Sequence, residues 1–86
     1  MAESLNYQKL TAAVARWIDE GRTHQRGAAL LNVHADRIDG YLADLHASAL
    51  HDREPPVHLV GLTAIDLICA AGDLRSAAAS LCRVAA

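Results

Sequence analysis

The stretch Ala28-Ala29-Leu30-Leu31-Asn32-Val33-His34-Ala35-Asp36-Arg37-Ile38-Asp39-Gly40-Tyr41-Leu42 decides how the chain is read. Two short helical patterns meet in it around Asn32, a residue that tolerates the left-handed backbone of a tight turn. Ala28, Leu31, Val33, Ile38 and Tyr41 have the apolar spacing that packs one such helix across another. The spacing predicts a corner within Ala28–Leu45, with one short helix from Thr23 to about Leu31 and a second from Ala35 to about His51.

Such a corner resembles a helix-turn-helix, which would make Ala35–Leu45 a recognition helix. The charges oppose that use. Asp36, Asp39 and Asp44 lie on the reading helix, with only His34 and Arg37 against them. Phosphate repels carboxylates, and acidic side chains find few base partners beyond cytosine. In this alternative reading the contacts would be His34 and Arg37, with Arg22 and Arg26 on the backbone.

Working outward, Leu10, Ala13, Val14, Trp17 and Ile18 form one apolar stripe at helical spacing. They predict a first helix over Leu5–Glu20, capped by Ser4 or Asn6 and closed at Gly21. Gly40 weakens its helix by about 1 kcal/mol relative to alanine, and a backbone passing close beside it would explain the choice. His51-Asp52-Arg53-Glu54-Pro55-Pro56 is the clearest break, since two prolines impose extended geometry and the charges stay hydrated. Beyond it, Val57–Ala71 reads as a helix apolar on most of its circumference. Gly72-Asp73 closes that helix and opens a last one over Leu74–Val84.

The 86 residues therefore predict one all-α domain, a compact bundle of four to five short helices in halves 4–51 and 57–86. Hydrophobic residues make up 52%, yet much of this is alanine, and the aromatics are Tyr7, Trp17 and Tyr41 alone. Alanine favours helix but buries little area, so the core is thin.

Composition also narrows the function. A net charge of −2 supplies no global attraction to nucleic acid or anionic membrane. Lys9 is the only lysine among eight cations, and phenylalanine is absent. This usage is that of a high-GC genome, such as an actinobacterium or one of its phages. The acidic start Met1-Ala2-Glu3-Ser4 is not a secretory leader, and Val57–Ala71, with His58, Thr63 and Asp66, is too short and polar to span a bilayer. Cys69 and Cys82 form no disulfide framework and read as reduced, buried thiols of a cytoplasmic protein.

The candidate chemistry is sparse. His24, His34, His46, His51 and His58 lack the i, i+3 or i, i+4 pairing of a helical metal site. Asp66 is the one charge inside the apolar segment and must cap, bond Thr63, face water or a partner, or pair with Arg75 or Arg83. The cysteines have no base beside them, and the glycines form no phosphate loop. The sequence thus predicts no enzyme, cofactor, metal or small-molecule substrate. It points to a regulatory protein that binds a protein partner or itself as a homodimer. Val60, Leu67, Leu74 and Leu81 are the expected interface, because so apolar a second half exceeds what a small body can cover.

Overall fold

Three long helices carry nearly all of the structure, a computed structural model that describes residues 6–85 and the side chains of residues 6–83. Helix α1 spans Tyr7–Thr23, α2 spans Gly27–Leu50 and α3 spans Ala64–Ala85, with a single 3-10 turn at Val57–Leu59. No strand occurs among the described residues. The fold is all-helical as the periodicity predicts, but with fewer and longer helices.

Asn6 caps α1, its Oδ1 accepting the Lys9 N–H at 2.9 Å. The alternative cap, Ser4, and the expected start at Leu5 lie outside the described residues. Gly21 does not close α1, which runs on to Thr23. Thr23 Oγ1 instead donates to the Glu20 carbonyl at 3.1 Å, so Thr23 finishes one helix rather than capping the next. The real corner follows it. The Arg26 N–H donates to His24 Nδ1 at 3.0 Å and the Gly27 N–H to the His24 carbonyl at 3.0 Å.

Two glycines make this corner possible. A Cβ on Gly27 would sit 1.8 Å from the Gly21 carbonyl oxygen, and one on Gly21 would press on Leu31 at 3.0 Å. Backbone therefore meets backbone where α1 hands over to α2. The close approach expected at Gly40 is absent, since no atom lies within 4 Å of a Cβ built there.

The expected corner at Ala28–Leu45 is not formed. Helix α2 passes through Asn32 without interruption, and Asn32 is exposed. Leu31, Ala35 and Ile38 are fully buried on its inner side. That continuous stripe outweighs the small propensity cost of one asparagine. Leu42 and Leu45 are half-buried, whereas Ala49, next on the same stripe, is exposed. Asp52, in the left-handed region at φ 51°, ends the helix. The Asp52 N–H donates to the Ala49 carbonyl and the Arg53 N–H to the Ser48 carbonyl, a Schellman closure.

The apolar Val57–Ala71 segment does not form one helix either. Thr63 and Asp66 cap each other reciprocally: the Thr63 N–H donates to Asp66 Oδ2 at 2.9 Å, and the Asp66 N–H to Thr63 Oγ1 at 3.2 Å. This capping box starts α3 at Ala64 and leaves Gly61 outside it at φ +92°. At the other expected boundary, Gly72-Asp73, α3 continues. Leu67, Ala70, Ala71, Leu74 and Ala78 are buried on both sides of it. Their shared packing offsets the roughly 1 kcal/mol cost of an exposed helical glycine. The last helices of the sequence reading are thus one.

The core lies between α2 and α3, the most extensive helix pairing of the fold. Leu31, Ile38, Leu59, Leu67 and Leu74 are its largest fully buried side chains, with Leu10 and Val14 entering from α1. Helix α1 runs alongside α3 in the same direction: Tyr7 shares a groove with Ile65, and Ile18 a depression with Leu81. The molecule measures 47 × 25 × 17 Å.

Candidate interaction surface

At 3.6 residues per turn, Leu67, Ala71, Leu74 and Ala78 share the inner face of α3. The opposite face holds Ile65, Ile68, Cys69, Gly72, Ser76 and Ala79, all exposed. Ile65 is 71% and Ile68 56% exposed. A helix in water ordinarily turns charge outward. This face carries none from Ile65 to Ala79, roughly four turns or about 21 Å, and Arg83 closes it one turn further on.

Charges stand at its two edges instead. Asp66 and Asp73 border the side toward α1, where they flank a groove of about 320 Å³ shared with Tyr7 and Cys69. Arg75 borders the side toward α2. Its guanidinium bonds the Asp39 carboxylate and reaches Asp36 Oδ1 at 3.1 Å. Hydrogen bonding to Asp39 first, and then the charges of Asp39 and Asp36, raises the Arg75 pKa above its ordinary value.

The four expected interface residues divide. Leu67 and Leu74 are corrected: each is fully buried in the chain's own core and offers no surface. Leu81 is half-buried beside Ile18. Val60 is 54% exposed, as is its neighbour Val57 at 75%. The surplus of apolar surface that the second half implies is present, but Val57, Val60, Ile65 and Ile68 carry it. Packing explains the difference: the stripe of Leu67, Ala71, Leu74 and Ala78 is the one buried in the core, which turns Ile65, Ile68 and Gly72 outward.

The cysteines are also corrected. Both thiols are free, as expected, but exposed rather than buried. They share one helix, thirteen residues and about 20 Å apart, beyond disulfide reach. Asp66 takes the Thr63 bond foreseen among its options, leaving Arg75 to α2 and Arg83 to the Ser80 hydroxyl at 3.1 Å.

The residues assigned to nucleic acid do not form a reading surface. His34 lies flat on Trp17, with ring centroids 4.2 Å apart at 6°. Its Nδ1 is buried without a hydrogen-bond partner. Burial, then the nearby Arg37 charge, pushes the His34 pKa below its usual 6.5, against a smaller opposing pull from Glu20. Arg22 reaches Asp19 at 3.5 Å, and Arg26 sits with it at the α1–α2 corner. Arg37 is exposed on α2. Ala35–Leu45 is the middle of a long helix, with Asp36 and Asp39 bound to Arg75.

Sequence reasoning missed the Trp17–His34 stack, although both residues lie on facing stripes. It left open which of its options Asp66 takes, although its place three residues after Thr63 was the readable sign of a helix start. No group of three or more potential metal ligands gathers among the described residues, and no described helix is long and apolar enough to cross a membrane. No protein-family model matches the chain, and no curated protein or solved structure shows significant similarity to it.

Proposed function

We propose that this chain is a small, non-enzymatic cytoplasmic regulatory protein that binds a protein partner, or itself, through the outward face of α3. The observation that carries the reading is the exposure of Ile65 and Ile68 on a helix face without charge. Isolated exposed apolar residues such as Val33 and Leu50 are ordinary, but a contiguous uncharged helix face marks a contact surface. Val57 and Val60, just ahead of α3 in the chain, add to the exposed apolar area.

Binding energy in such surfaces concentrates in a few large side chains. The double variant Ile65→Arg/Ile68→Arg removes both while leaving the core untouched. It keeps its helical circular dichroism and fails to capture, from extract of the native host, the proteins that the unaltered chain retains. Equal capture by both chains would overturn the reading.

A further inference from the structure

We propose that the occupant of the α3 outward face is a second copy of this chain, the two helices running antiparallel and crossing near Ala70. The inference rests on the reading of that face as a binding surface and names what covers it.

Charge is the first argument. A face without charge complements itself, whereas a charged partner would leave its own ions buried and unpaired against it.

Side-chain size is the second, and it sets the direction. Along the face the residues run from large to small: Ile65 and Ile68, then Gly72, Ser76 and Ala79. A two-fold axis across the helices near residue 70 lays Ile68 on Gly72 of the second copy, and Ile65 on Ser76. The space over Gly72 is open, with no atom within 4 Å of a Cβ built there. A parallel pairing would set isoleucine on isoleucine and glycine on glycine, holding the helices apart at one end. The antiparallel arrangement fills each notch with a side chain from the other copy, as a closed two-fold interface requires.

The same axis places like edges side by side. Asp66 and Asp73 of both copies then line one margin, so association tightens as salt screens them. Cys69 lies toward that margin in each copy and meets its counterpart within disulfide range. The two Cys82 residues end about 36 Å apart along the helices.

Light scattering at about 100 μM chain, with and without added salt, reads the first consequence. The expected mass is twice that of one chain. Gly72→Leu fills the notch without removing apolar surface, and on an exposed helical site it raises the melting temperature. Its expected mass is that of one chain. Oxidation with diamide is expected to link the Cys82→Ser variant through Cys69 and to leave Cys69→Ser unlinked. A single-chain mass for the unaltered protein overturns the inference, as does a dimer that survives Gly72→Leu or links equally through Cys82. The capture experiment with Ile65→Arg/Ile68→Arg judges the broader reading separately.

Discussion

Gly27 stands against the Gly21 carbonyl with no room for a methyl group, so the handover from α1 to α2 hangs on one missing carbon. Gly27→Ala is expected to cost about 3 kcal/mol or more, because backbone rather than a flexible side chain must move. Urea denaturation measures it, and a loss as small as that of an exposed helical site would contradict the packing described. His34 carries a second expectation. Its folded pKa lies below 6.5, so beneath that pH the unfolded chain takes up a proton that the folded chain refuses. Its contribution to stability is therefore complete above pH 6.5 and declines as the pH falls below it. Thermal melts between pH 7.5 and pH 5 show the decline, and His34→Phe, which keeps a ring on Trp17, flattens it. Trp17 is the only tryptophan, so its fluorescence reports the same stack.

Helix boundaries were the least readable part of the chain. The apolar stripes of the first half were legible residue by residue: Leu10, Val14, Leu31 and Ile38 all face inward as their spacing predicts. Breaks at Asn32 and Gly72 were overestimated, because each lies on a solvent face where the stripe behind it holds the helix together. Local propensity costs of about 1 kcal/mol lose to such packing. The start of α3 went the other way. Thr63 and Asp66 cap it locally, seven residues beyond the expected start at Val57. Thr63→Ala should remove about 1 kcal/mol by stripping one half of the reciprocal cap. Amide exchange at Ile65 and Asp66 reads the fraying directly, and unchanged protection there would count against the cap. Asp52, by contrast, ends α2 within the break that the sequence announced, in a conformation that asparagine or glycine adopts more easily.

For the molecule as a whole, the one-domain expectation came from length and the thin core from its alanine content. What composition could not supply was which leucines close the core. Leu67 and Leu74 are enclosed between α2 and α3, so Leu67→Ala or Leu74→Ala should cost about 2–5 kcal/mol, read by denaturant titration. Loss of association with the fold intact would instead return those residues to the surface. The uncharged face on α3 was legible only as a surplus, since which stripe of the helix turns inward is set by its packing against α2. The unequal packing of the three helices has its own consequence. α2 and α3 grip each other along much of their length, while α1 rests on them through a narrower strip of Leu10, Val14, Trp17 and Ile18. Breathing motions of the native chain therefore begin with α1 swinging away on its glycine corner. A protease sampling these openings meets the N-terminal third first, and the remaining hairpin persists as the fragment it leaves behind.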